Sequence, residues 1–127
     1  MCSSDLALER GAWVISDRFT DSSYAYQGAG RQLGSDTVAA MEQLVLAEFR
    51  PDLTIVLDLD VDEGLARAAS VASADRFEAE SSTFFRRVRQ AFLDHAAETG
   101  AHVVDAAAPL EQVQEEIRLI VERFLHD

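Results

Sequence analysis

Asp17 and Arg18 close an apolar run, Trp13-Val14-Ile15-Ser16. A polar, aromatic, glycine-bearing string follows at once: Ser22-Ser23-Tyr24-Ala25-Tyr26-Gln27-Gly28-Ala29-Gly30-Arg31. In an open α/β sheet, ligands bind in the crevice beyond the carboxyl ends of the strands. An acid and an arginine at such an end are placed to meet one. Asp17 can hold a cation-bound water or fix Arg18. The planar fork of Arg18 grips a phosphate at two points, which a lysine cannot do. Ser22, Ser23, Tyr26 and Gln27 add donors and acceptors suited to a sugar and a base edge. By itself an Asp-Arg pair after a strand also reads as a surface ion pair worth less than about 1 kcal/mol.

The elements that must position these residues follow from the apolar pattern. Ala7 to Gly11 reads as the last turn of a helix with Gly11 as its left-handed cap. Ala12 to Ser16 lacks polar alternation, as expected of a buried parallel strand. Asp21 or Ser22 can cap a helix through Tyr26. Gly28 and Gly30 then open a loop to about Gly34, and as isolated residues they read as a plain helix stop. Ser35-Asp36 starts the next helix, with Val38, Met41, Leu44, Val45 and Phe49 as an apolar stripe expected in the core. After Pro51, Leu53 to Leu59 is the strongest strand signal. A helix over Val61–Ala69 enters from Asp60. Ser70 to Ala74 is small and featureless, and Asp75-Arg76-Phe77-Glu78 follows. Ser81 or Ser82 caps a long helix ending at Gly100, with Phe84, Phe85, Val88, Phe92 and Ala96 inward. Its Arg86, Arg87 and Arg89 are expected on a solvated face. Ala101 to Asp105 is a last short strand. Pro109 opens a final helix whose stripe is Leu110, Val113, Ile117, Ile120, Val121 and Phe124. Strand and helix in alternation predict a parallel α/β sheet.

Composition narrows the chemistry. The 127 residues suit one domain. A net charge of −12 argues against a nucleic-acid surface. All eleven basic residues are arginine. A G-x-x-x-x-G-K-[ST] loop needs a lysine to reach the terminal phosphates of ATP, so these residues do not include one. Cys2 is the only cysteine, which excludes an intrachain disulfide. His95, His102 and His126 have no metal-ligand spacing. No apolar run is long enough to cross a membrane, and the cytoplasm is the expected compartment.

Ile15-Ser16-Asp17-Arg18-Phe19, then Ala25-Tyr26-Gln27-Gly28-x-Gly30-Arg31, then Arg50-Pro51-Asp52-Leu53-Thr54, then Asp75-Arg76-Phe77-Glu78, resembles bacterial thymidylate kinase in order and spacing. The likeness runs from about Ala7 to the C-terminus. It implies a P-loop nucleoside-monophosphate-kinase-like fold, a parallel sheet with flanking helices. These residues correspond to its C-terminal portion, N-terminally truncated so that the central P-loop strand is absent. Residues 1–6 match nothing in the pattern. They are expected to be a non-native or disordered leader, which sequencing the locus across Leu6 and Ala7 would test. The implied reaction passes the terminal phosphoryl of ATP to dTMP, giving dTDP, with Mg2+. Asp17 and Arg18 would stand at the transfer centre, Arg18 on the acceptor phosphate and Asp17 toward Mg2+ only through water. Ser22 and Ser23 would lie beside thymine. Tyr26 would face the deoxyribose and help reject ribonucleotides, and Gln27 would support the acceptor site. Arg67, Asp75, Arg76 and Glu78 would belong to the lid, with Arg76 catalytic on closure. Asp105 to Pro109 would lie near the adenine. Helix 36–49 would pair with its twin in a homodimer.

Two departures carry consequences. Ala69 to Ala74 hold none of the lid arginines found in related bacterial enzymes, and Phe19 stands where tyrosine or histidine is common. Without a P-loop lysine, the 127 residues alone are expected to bind neither ATP nor Mg2+ tightly and to be inactive. The alternative reading is a non-catalytic nucleotide- or anion-binding remnant that keeps the Asp-Arg site.

Overall fold

The computed structural model describes residues 3–47, 49–71 and 81–126. The elements are α1 (Ser3–Glu9), α2 (Thr20–Ser23), a π-helical segment (Tyr24–Gly30), α3 (Ser35–Leu46), β1 (Ile55–Asp58), α4 (Val61–Val71), α5 (Ser82–Thr99), β2 (His102–Asp105) and α6 (Leu110–His126). β1 and β2 pair in parallel, with Ile55 opposite His102 and Asp58 opposite Asp105. Parallel strands need a crossover connection, and α4 and α5 lie within it. Both strands therefore end in an aspartate at the same edge.

Local chemistry sets the helix ends. The Ser81 hydroxyl accepts from the Phe84 amide at 3.3 Å and starts α5. Gly100 ends it at φ 76°, a conformation open to glycine. Asp60 accepts from the Asp62 amide at 2.9 Å and caps α4. Gly11, at φ 75°, follows α1, which starts earlier than the single turn expected.

Among the described residues two small cores result. Val104 is fully buried with Val113 and Ile120 of α6, flanked by Leu53, Ile55 and Ile117. Ala25, Phe84 and Val88 form the other, flanked by Tyr26, Phe85 and Phe92. α5 faces both the π-helical segment and the sheet.

Four expectations are corrected. Residues 12–16 form no strand: Trp13 is 72% exposed and Ile15 97%. A strand needs a neighbouring strand for its N–H and C=O groups, and among the described residues no strand pairs with this stretch. Trp13 instead meets Phe124 edge-on, at 6.3 Å between ring centroids. In α3 only Val38 is buried, while Met41, Leu44 and Val45 face outward. Periodicity reveals an apolar stripe but not what covers it. Leu110 is exposed because the packing of α6 begins at Val113. Finally, α2 begins at Thr20 after Phe19, with no side-chain cap from Asp21 or Ser22.

Candidate functional site

Arg18 adopts φ 69°, a region that non-glycine residues seldom occupy. The Ser16 hydroxyl donates to the Arg18 carbonyl at 2.8 Å and braces the turn. The guanidinium lies 5.4 Å from the centroid of the Tyr26 ring, within cation–π range. Tyr26 is fixed in turn by α5: its ring stands edge-on to Phe92 at 6.2 Å and tilted to Phe84 at 6.3 Å. The apolar face of α5 thus aims Tyr26, and Tyr26 seats Arg18. Ser22 is half-buried, and Ser23 and Gln27 are exposed on the same segment. Asp17 is exposed beside Arg18. The structure therefore brings Arg18 against Tyr26 and strings Ser22, Ser23 and Gln27 along the segment that carries Tyr26.

The glycine string is not a loop. Tyr24–Gly30 winds as a π-helix, a wide turn frequent at functional sites. The Arg31 amide donates to the Tyr26 carbonyl at 2.9 Å, and the Gly34 amide to the Gly28 carbonyl at 3.0 Å. Gly30 permits close approach of α5: a Cβ there would sit 2.8 Å from the Phe84 ring and 3.0 Å from Val88. The Arg87 guanidinium donates to the Gly30 carbonyl at 3.0 Å. Arg87 is therefore part of this packing, contrary to the solvated face expected for it.

A polar network that sequence reading missed lies along α2 and the π-helix. Glu42 of α3 accepts from the Thr20 hydroxyl at 2.8 Å and from the Tyr24 phenol at 2.7 Å. The Arg50 Nε lies 3.5 Å from the same carboxylate, whose side chain is 10% exposed. Burial pushes the Glu42 carboxyl up, but the Tyr24 and Thr20 hydrogen bonds and the Arg50 charge outweigh it and hold the group below its ordinary value. Burial, then the bond to Glu42 and its charge, push the Tyr24 phenol up to about 12. His95 of α5 stacks on Tyr24, with ring centroids 4.3 Å apart. Its Nε2 lies 3.6 Å from Asp21 Oδ1. A signal was available: Glu42 stands four residues after Val38, and so on the buried face of α3.

At the carboxyl edge of the strands, Asp58 takes a two-point grip from Arg89 at 2.8 and 2.9 Å. The Arg89 hydrogen bonds hold the Asp58 carboxyl below its ordinary value against the opposing effect of burial. Arg89 also reaches Asp60, so it too departs from the expected solvated face, while Arg86 stays exposed and pairs with Asp62 at 3.1 Å. In the turn after β2, Asp105 accepts from the Ala107 amide at 2.8 Å. Arg67 reaches across from α4 to donate to the Ala106 carbonyl at 3.0 Å. Leu57, Arg67, Pro109 and Val113 are among the residues lining a cavity of about 530 Å3 here. Asp75, Arg76, Phe77 and Glu78 lie outside the described residues. Among the described residues no three His, Cys, Asp or Glu side chains converge on one point, and no helix is long and apolar enough to cross a membrane.

A family profile described as Thymidylate kinase matches residues 3–117. A thymidylate kinase of Pseudomonas fluorescens is 54% identical over 121 residues, covering 94% of this chain and 58% of its own length. One from Alcanivorax borkumensis is 50% identical over 120 residues, covering 93% of this chain and 58% of its own length. One from Teredinibacter turnerae is 49% identical over 121 residues, 94% of this chain and 59% of its own. The chain thus spans under two thirds of the length of these curated relatives. The Asp-Arg turn, the π-helical glycine segment and the β1 and β2 aspartates all fall inside the matched span, and the chain belongs to the thymidylate kinase family.

Proposed function

We propose that these residues carry the acceptor side, and part of the donor side, of a site that transfers the terminal phosphoryl of ATP to dTMP, giving dTDP and ADP. The observation that carries the reading is the seating of Arg18. An arginine held at positive φ over an aromatic face keeps its fork directed rather than free. Such a fork suits the acceptor phosphate and the charge that moves during transfer. Tyr26 offers a flat face to a deoxyribose, Ser22 and Ser23 polar atoms to a thymine edge, and Gln27 support. On the donor side, Arg67 and the Asp105–Pro109 turn flank the cavity suited to an adenine. Arg76, with Asp75 and Glu78, would act on the donor phosphates as the lid. The two strands would be part of a P-loop kinase sheet.

Mg2+ fits the donor set. It keeps most of its waters and takes one or two carboxylates plus phosphates, and Asp17 is an exposed carboxylate beside Arg18. When bound, the ion screens phosphate charge. Asp17 would orient one of its waters, and Arg18 would hold the acceptor oxygens.

Calorimetric titration of dTMP tests the site. We expect weak binding that Arg18→Ala lowers by about tenfold or more, the weight of a charge-assisted two-point contact. Equal affinity in Arg18→Ala would overturn the assignment. With ATP, Mg2+ and dTMP the 127 residues should form no dTDP, because no lysine is present to hold the donor phosphates. Turnover would refute that. The exposed Met41, Leu44 and Val45 of α3 suit an identical face on a second copy. Sedimentation should then show a dimer that Leu44→Asp dissociates.

A further inference from the structure

We infer that Glu42 is a positioning residue for the nucleotide-binding segment, acting on Arg18 and Tyr26 without touching the ligand. The inference rests on the dTMP reading above for its consequence, but not for its geometry. α2 and the π-helix form one continuous rod from Thr20 to Gly30. One side of that rod carries Tyr26, which meets Phe84 and Phe92 of α5. Another carries Thr20 and Tyr24, four residues apart and both bonded to the one Glu42 carboxylate, at 2.8 and 2.7 Å. Packing against α5 and the Arg87 bond to the Gly30 carbonyl hold the Tyr26–Gly30 end of the rod, while non-directional apolar contacts leave rotation and sliding of its Thr20–Tyr24 end less closely fixed. Two charge-assisted hydrogen bonds to a single carboxylate are directional and fix both.

The carboxylate is itself held. Its side chain is 10% exposed and Arg50 stands 3.5 Å away, so the anchor is charged, nearly enclosed and short of freedom to move. His95 stacks on the far side of the Tyr24 ring, closing the phenol between α5 and α3. A rod locked at Thr20 and Tyr24 presents Tyr26 at a fixed angle, and Arg18 rests on the Tyr26 face. Glu42 therefore shares with α5 in setting where the guanidinium fork points.

The test is NMR of the 127-residue chain with Glu42→Gln and Glu42→Ala, read at the Arg18 side-chain protons. In the wild type these protons should carry a ring-current shift from Tyr26. Glu42→Ala should abolish it, and Glu42→Gln, which keeps an acceptor for one hydroxyl, should restore part of it. An Arg18 shift unchanged in Glu42→Ala, or absent from the wild type, would overturn the inference. Should Glu42→Ala not fold, the double change Thr20→Val with Tyr24→Phe removes both donors, leaves the carboxylate, and is read in the same way. A parallel dTMP titration separates the two readings. Loss of the Arg18 shift with about tenfold weaker dTMP binding supports both. Loss of the shift in a chain that never binds dTMP supports the positioning role and defeats the dTMP site.

Discussion

Two stretches of this chain have nearly the same character and opposite fates. Trp13-Val14-Ile15-Ser16-Asp17 and Ile55-Val56-Leu57-Asp58 are both apolar runs that end in an aspartate. The second pairs with His102–Asp105 as a parallel strand over a core in which Val104 is wholly buried. The first forms no strand and stays exposed, with Ile15 97% open. The difference lies in what stands beside each stretch. A strand is a shared structure: its ladder bonds and its buried face both require a neighbour. Apolar composition makes a strand possible, and a partner makes it one.

That contrast can be broken or sharpened by measurement. Val104→Asp should cause the largest loss, more than about 4 kcal/mol, because it buries an unpaired charge. Urea unfolding should lose its cooperative transition, and a retained transition would mean the sheet core contributes little. Gly30→Ala should cost about 1–3 kcal/mol by overpacking Phe84 and Val88, again by urea unfolding. An unchanged midpoint would mean that α5 moves away freely.

The third prediction concerns pH. The folded Tyr24 phenol is pushed up to about 12 from an ordinary 10.0. Its contribution is fully present below the unfolded value and is lost as pH rises through the folded one. The melting temperature should therefore fall between about pH 10 and 12, and Tyr24→Phe should flatten that decline. On the acid side the sign reverses: the Glu42 carboxyl is held low, so its share is present above the unfolded value and fades as pH drops through the folded one. The smallest effect belongs to Ile15→Asp, within about 0.5 kcal/mol at an exposed site. A loss of several kcal/mol there would show that this stretch does have a covered face.

Much of the fold was legible in the sequence. Ser81, Gly100 and Asp60 mark helix ends because capping depends on one or two residues and their own backbone. β1, β2 and α6 were readable as elements from their apolar runs, although Leu57, Val103 and Leu110 within those runs lie exposed. The Asp-Arg turn and the Tyr-Gln-Gly-x-Gly-Arg string were legible as marks of the family, since so specific an order of residue types rarely arises from packing alone. The π-helix was not, because glycine says only that the backbone is free. It took Phe84 and Val88 pressing against Gly30 to reveal why no side chain stands there.

What the sequence determined by itself was local: helix ends, strand-forming runs, family membership and the absence of lysine. The tertiary structure alone decided which apolar faces are covered, turning Val38 inward and Leu44 outward on the same helix. It alone placed Thr20, Tyr24 and Arg50 around Glu42, and Arg18 over Tyr26. The physical reason is common to all of these. Caps and propensities act between residues adjacent in the chain. Burial, hydrogen-bond networks and charge pairing depend on which distant segments meet, and composition does not encode that meeting one residue at a time.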